Sequence, residues 1–283
     1  MDPKARLYHA LAVRWAAPPT EDHVERLLAE MDDCRVTAVD EDLQTGATRF
    51  FFASAASRDR AGEIVRSVDP DARIVALEIS DENWAERSQA SITAVRVGRI
   101  TVAPPWDRPA DDSTVVVIQP SMGFGTAHHE STRLCLQLLQ DIDVAGRSVF
   151  DAGTGSGVLA IAARTLGATP VVAADFDPDA IHNARENVEL NGTTDLTLLV
   201  MDLAEPAALG ARRFDVVFAN LTGGVLRRFA DELASRVAAG GSLIVSGVLA
   251  EEEDAVTRAF AAVGLHVSSR LQEREWIGAR FAR

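Results

Sequence analysis

The sequence predicts a two-domain α/β protein: a mostly parallel sheet covered by helices fills the C-terminal two thirds, and a smaller α+β domain precedes it. Three observations carry this. The chain has 283 residues, beyond the size at which one hydrophobic core usually keeps growing. From about residue 129 onward, apolar strand-like runs alternate with helical patterns, which implies parallel strands joined by helical crossovers. Before residue 80 the order is instead β-α-β-β-α-β, that of a ferredoxin-like split β-α-β domain.

In the N-terminal part, LYHALAVR at 7–14 is strand-like. PPTEDHVERLLAEM then gives a helix capped by Thr20, although the third residue after it is His23 rather than a capping-box acid. Val24, Leu27, Leu28 and Met31 are spaced for one helical face. Strands follow at 35–39 and 48–53, separated by the turn-prone Gln44-Thr45-Gly46. A helix at 57–68 and a strand at 73–79 complete the pattern. This domain is assigned residues 1–80 and a connecting segment 81–105, holding a helix and the start of a hairpin.

The remaining domain, 106–283, contains the alternation. Strand-like runs at 94–103 and 114–119 lead to the glycine-rich loop Pro120-Ser121-Met122-Gly123-Phe124-Gly125-Thr126. Helices are then expected at 129–140, 157–166, 178–190, 224–238 and 251–263. Strands are expected at 148–151, 170–175, 196–201, 214–219 and 241–247, with a final antiparallel hairpin at 265–273 and 276–282. The sum is a seven-stranded, Rossmann-like sheet.

Composition narrows the class. The chain is 47% hydrophobic and 25% charged, with mean hydropathy +0.03, average for a soluble globular protein. No apolar run approaches the ~18 residues of a membrane span. The first residues lack a basic segment followed by a long apolar stretch and a cleavage site, so a cytoplasmic location is expected. Cys34 and Cys135 lie far apart, which fits reduced thiols and supplies no metal-ligand cluster. A net charge of -14 disfavours holding nucleic acid by its phosphates and suits a basic protein partner. Lys4 is the sole lysine, which codon bias explains as well as function does.

The sharpest motif is Ser148-Val149-Phe150-Asp151-Ala152-Gly153-Thr154-Gly155-Ser156-Gly157, an apolar strand running into a glycine turn and a helix. The missing side chains at Gly153 and Gly155 let a ligand lie against the backbone. A plain tight turn explains a lone glycine pair as well, so the strand-end acids matter. Asp175 closes the next strand, where Rossmann sites place the carboxylate that accepts from ribose hydroxyls. Asp202 closes the following one, where a carboxylate can accept from an adenine amino group. Each acid alone could be a helix cap; three at consecutive strand ends favour a nucleoside.

A dinucleotide is the competing ligand, with the fingerprint G-x-G-x-x-G and its pyrophosphate on the helix N-terminus. Here the spacing is G-x-G-x-G, and Asp151 directly precedes the turn. A carboxylate there repels pyrophosphate but suits a ligand carrying an ammonium and a sulfonium, which describes S-adenosyl-L-methionine. The strand at 214–219 leads to Asn220, whose side-chain carbonyl can accept from a substrate amine, and Thr222 offers a hydroxyl nearby. Asn220 could equally cap the helix expected at 224–238. The Pro-Pro that tends to follow this Asn in nucleic-acid and glutamine methyltransferases is absent.

At these residues the sequence resembles the PrmA family, which methylates ribosomal protein L11. The resemblance runs along the chain through Trp84, Val95-Arg96-Val97-Gly98, Pro105-Trp106, and Phe124-Gly125-Thr126 followed by His129, Thr132, Leu134 and Cys135. The Asp151–Gly157 loop, Asp175-Phe176-Asp177-Pro178 and Ala219-Asn220-Leu221 complete it. The resemblance implies an N-terminal domain that recognises the ribosomal protein, a flexible linker, and a catalytic domain that methylates lysine side chains and an N-terminal amine. It also implies cofactor contacts at Thr126, Gly153, Asp175 and Asn220. The chain departs from the family's usual Phe-Gly-Thr-Gly-Thr-His-Pro-Thr-Thr at Ala127, His128, Glu130 and Ser131, and from its Asn-Ile-Leu-Ala-Gly-Pro-Leu at Asn220-Leu221-Thr222-Gly223-Gly224-Val225-Leu226.

The expected reaction is an in-line displacement that needs no metal and no covalent enzyme intermediate, so positioning does most of the work. The candidate site is therefore Asn220 and Thr222 for catalysis, with Thr126, Asp151, Gly153, Gly155, Asp175, Asp202 and Asn220 for the cofactor. His128 and His129 are candidate proton acceptors, although water can serve. The alternatives are methylation of another protein or a small-molecule amine, or a non-catalytic module that keeps the fold.

Overall fold

A computed structural model describes residues 7–15, 27, 30–31, 34, 36–42, 46–80, 92–110, 114–120 and 129–283. The chain divides into two compact units, Met1–Ser91 and Ile92–Arg283.

In the first unit, β1 (Leu7–Arg14), β2 (Val36–Asp42), β3 (Ala47–Phe52) and β4 (Arg73–Ser80) form one sheet with α1 (Ala55–Val68) following β3. The strand order is β2-β3-β1-β4, with every neighbouring pair antiparallel. β1 and β2 therefore run in the same direction with β3 between them. Leu11, Val13, Phe50 and Phe52 point to one face and bury against Ala61 and Val65 of α1, as period-2 strands and a 3.6-period helix require. The Ser54 side chain caps α1 by accepting from the Ser57 N–H. Most of the helix expected from Thr20 onward lies outside the described residues, but Leu27 and Met31 are fully buried in this core.

The second unit begins with β5 (Val95–Val97), β6 (Ile100–Ala103) and β7 (Thr114–Val117), a small sheet in which β6 pairs parallel with β7. Its main sheet comprises β8 (Val149–Ala152), β9 (Val171–Asp175), β10 (Thr197–Val200), β11 (Phe214–Asn220), β12 (Val237–Leu249), β13 (His266–Glu273) and β14 (Trp276–Ala282). The order is β10-β9-β8-β11-β12-β14-β13. β14 is antiparallel to both its neighbours, and the other described pairings are parallel.

Helices α2 (Glu130–Gln140), α3 (Val158–Thr165), α4 (Pro178–Leu190), α5 (Gly223–Arg228), α6 (Ala230–Arg236) and α7 (Glu253–Ala262) cover both faces. Along β11, Val216 and Phe218 join the cluster under α2 and α3, while Val217 and Ala219 join the cluster under α5, α6 and α7. That two-sided burial is why the strand reads as one apolar run. No helix among the described residues is long and apolar enough to cross a membrane.

The helix expected at 224–238 is instead two short helices, α5 and α6, meeting at Phe229, and β12 begins four residues before its expected start of 241. Close backbone approach accounts for the early strand. A Cβ on Gly241 would lie 2.9 Å from the Asp215 carbonyl oxygen, so the small residues of Ala238-Ala239-Gly240-Gly241 let β12 run tightly along the start of β11.

Successive crossovers run outward from β8 to β9 and β10, then the chain returns to place β11 on the other side of β8. This reversal of strand order opens a crevice at the carboxyl ends of β8 and β11.

Candidate functional site at the carboxyl ends of the strands

β8 is buried along its length and delivers Asp151 to the start of the glycine turn. Gly153, Gly155 and Gly157 have φ of +73°, +54° and +83°, a region that L side chains adopt at a cost. Gly153 has a second constraint, because a Cβ there would collide with Leu221 Cδ2.

Asp151 is 1% exposed. Its Oδ2 accepts a 2.6 Å hydrogen bond from the Thr154 hydroxyl, while Oδ1 is buried with no hydrogen-bond partner among the described residues. Burial, reinforced by the neighbouring charge of Asp175, pushes this carboxyl up to about 7.

Asp175 ends β9 and is also buried. Its Oδ2 accepts from the Gly155 N–H at 2.9 Å and its Oδ1 from the Asp177 N–H at 3.1 Å. The second strand-end acid thus braces the turn that follows the first. Asp202 lies two residues past the end of β10, which pairs with β9 through Val200 and Asp175. It is exposed, and its Oδ1 accepts from the Ala204 N–H at 2.8 Å.

Across the crevice, Asn220 is the last residue of β11. Its Nδ2 donates to Thr132 Oγ1 of α2 at 3.5 Å, and its Oδ1 lies beside Gly247 of β12. Thr222, not Asn220, occupies the N-cap of α5, and it does so without a side-chain bond. Thr222 is exposed. The structure thus brings Asp151, Gly153, Gly155, Asp175 and Asn220 together around one strand-end crevice, and leaves the Asp202 and Thr222 side chains exposed beside it. Thr126 and His128 lie outside the described residues.

His129 caps α2: its Nδ1 accepts from the Ser131 N–H at 3.2 Å and stands 2.7 Å from the Ser131 hydroxyl. Its ring packs edge-on against Trp276, with centroids 4.6 Å apart. Burial lowers its pKa from 6.5, so near neutrality the ring is uncharged, with Nδ1 engaged as an acceptor.

Two features lie beyond the sequence reading. Phe176 follows Asp175 and is 76% exposed; its signal is an aromatic directly after a strand-end acid, where a solvated residue is the norm. Glu252, just beyond β12, sits against Gly223, with Oε1 2.6 Å from where a Cβ would be. That contact explains a glycine at 223.

A seven-stranded sheet with its last strand reversed, an acid-flanked glycine turn and an Asn at the end of the adjacent strand is an arrangement suited to a nucleoside-bearing methyl donor. A family model for ribosomal protein L11 methyltransferase (PrmA) matches residues 23–283. The chain belongs to this family. It is 40% identical over 252 residues to a ribosomal protein L11 methyltransferase of Geobacter sulfurreducens, covering 83% of this chain and 81% of that protein. A similar protein of Geobacter metallireducens is 41% identical over 201 residues, covering 70% of this chain and 65% of its own length. Among solved structures, a ribosomal protein L11 methylase from Lactobacillus delbrueckii subsp. bulgaricus superposes with a TM-score of 0.62 at 27% identity, covering 68% of this chain and 98% of that one. The enzyme is thus an S-adenosylmethionine-dependent methyltransferase.

Its residues fit that group. The orphaned Asp151 Oδ1 and the side-chain-free backbone at Gly155 suit a cationic ligand laid along the turn.

Proposed function

We propose that this enzyme methylates ribosomal protein L11 on amines, both lysine side chains and the N-terminal amine. The observation that carries the proposal is Asn220 at the end of β11, the strand that pairs with β8 and so ends beside the glycine turn. An amide carbonyl beside the cofactor turn is the acceptor that an amine substrate needs.

When bound, S-adenosylmethionine would supply a sulfonium methyl group to the amine lone pair, with the electrons of the broken S–C bond left on sulfur. The chain's own residues orient and desolvate. Asp175 holds the turn through Gly155 and presents a carboxylate for ribose hydroxyls. Asp202 accepts from the adenine amino group, and the exposed ring of Phe176, next to Asp175 in the chain, offers an aromatic face. Thr126, three residues before His129 in the sequence, belongs to the same cofactor set. Asn220 orients the nitrogen, and Thr222 adds a hydroxyl at the acceptor side. The amine must be neutral although free lysine has a pKa of about 10.4, so exclusion of water at the site lowers that value. The proton passes to water. His129 is not well placed as the base, since protonation at Nδ1 would break its own cap.

The N-terminal domain, residues 1–80, recognises the ribosomal protein, with 81–105 as the connection and 106–283 carrying the chemistry. The charge of -14 suits a basic partner in the cytoplasm with no direct nucleic-acid contact. A second reading, methylation of another protein or a small-molecule amine, rests on the departures at 127–131 and 222–225. Incubating the enzyme with labelled cofactor and a cell lysate tests both. One basic ribosomal band supports L11, other labelled products support the second reading, and no product refutes both.

A further inference from the structure

The cofactor turn and the acceptor loop touch through one side chain, that of Leu221. Its Cδ2 occupies the space that Gly153 leaves, so tightly that a Cβ at 153 and the present position of Leu221 exclude one another. The main chain of Leu221 is fixed independently. Its N–H donates to the Ser246 carbonyl at 3.1 Å, and its carbonyl oxygen lies 2.6 Å from where a Cβ on Gly247 would be. Gly247, at φ +78°, also lies against Asn220: its Cβ would be 3.2 Å from Asn220 Oδ1. Leu221 is thus anchored to β12 by its backbone, to the cofactor turn by its isobutyl group, and to the acceptor amide by the peptide bond.

We propose that Leu221 is a positioning residue that sets the separation between the methyl donor and the acceptor amine. This rests on the reading of Asn220 as the amine acceptor. An in-line displacement is unusually sensitive to that separation, because a misplacement of about 1 Å can cost on the order of 10²-fold in rate. A leucine is suited to the task. It fills the gap over Gly153 with few rotatable bonds and carries no polar atom that would need a partner there.

The test compares Leu221→Ala and Leu221→Met in the full chain. It uses kcat at saturating cofactor and calorimetric affinity for S-adenosylhomocysteine as separate readouts, and thermal unfolding confirms the fold. Leu221→Ala should lower kcat about tenfold or more while changing that affinity less than about threefold. Leu221→Met, of similar volume, should recover most of the rate. The pH at which the rate is half-maximal should not move, since the change alters distance and not the amine's environment. If the alanine variant does not fold, Leu221→Ile carries the test, with a smaller kcat loss at unchanged affinity. Wild-type kcat in Leu221→Ala, or in its isoleucine replacement, would overturn the proposal. So would a kcat loss matched by an equal loss of affinity, or a methionine variant as slow as the alanine one. Asn220→Ala in parallel separates the two ideas: wild-type kcat there removes the amine reading itself, whereas a slow Asn220→Ala beside a fast Leu221→Ala removes only the role of Leu221.

Discussion

Asp175 Oδ2 accepts the Gly155 N–H at 2.9 Å, so the carboxylate ending β9 also holds the turn that ends β8. Replacing Asp175 by Ala removes the proposed ribose partner and the brace of the turn in one step. A lost partner leaves buried polar groups unpaired at about 1–3 kcal/mol each. Calorimetry should find no measurable binding of S-adenosylmethionine to Asp175→Ala, with a fold that still unfolds cooperatively. Asp175→Asn, which can still accept from Gly155, should retain weak binding.

Gly153 combines a positive φ with the Leu221 contact, so the effect of substitution should grow with side-chain size. Gly153→Ala carries the left-handed penalty of about 1–2 kcal/mol and must displace Leu221. Gly153→Val adds a branched side chain that meets Leu221 and cannot be placed without distorting the turn. Titrations with cofactor should show weakened binding for alanine and none for valine.

Asp151 gives the apoenzyme a pH dependence of definite sign. Its carboxyl sits near 3.8 in an unfolded chain and is pushed up to about 7 by burial in the fold, so the native state holds the proton more tightly. Both states are protonated below about pH 4. Between about pH 4 and pH 7 the unfolded chain releases its proton first, and stability falls as pH rises, levelling off above about 7. Unfolding midpoints of wild type and Asp151→Asn should therefore diverge across that window, the Asn protein gaining relative to wild type as pH rises. The cationic cofactor favours the carboxylate, so its affinity for wild type should increase through pH 7. A flat affinity profile would separate Asp151 from the cofactor.

Asn220→Ala should lower kcat more than it weakens cofactor binding, the signature of an interaction made mainly in the transition state. Some loss of affinity is expected as well, because Asn220 is also a proposed cofactor contact. The rate of the wild-type enzyme should climb with pH until the bound amine is neutral. Measuring kcat at saturating cofactor separates the effects, and a wild-type kcat would leave Asn220 only a structural role.

Much of this architecture was legible in the chain because its signals are local. Continuous apolar runs marked β8 and β9, helical patterns marked α3 and α4, strand-like runs marked the closing β13–β14 hairpin, and the glycine turn with its flanking acids marked the crevice. Three-dimensional contacts between distant segments carry no such signal. Leu221 meets Gly153, and Glu252 meets Gly223, across gaps that no local pattern spans. The break at Phe229 was hidden because Leu226 and Leu233, seven residues apart, both look like one face of a continuous helix, and both are buried. Whether Asn220 capped a helix was likewise undecidable from sequence, since the cap falls to Thr222 only once the chain has left β11.

The most direct test of the account is the mass of purified ribosomal protein L11 before and after incubation with this enzyme and S-adenosylmethionine. The account predicts that its mass rises in whole methyl-for-hydrogen steps located on lysine side chains and the N-terminal amine, and that Asn220→Ala slows the increase. An unchanged mass, under conditions where the enzyme binds the cofactor and methylates another acceptor, would contradict it.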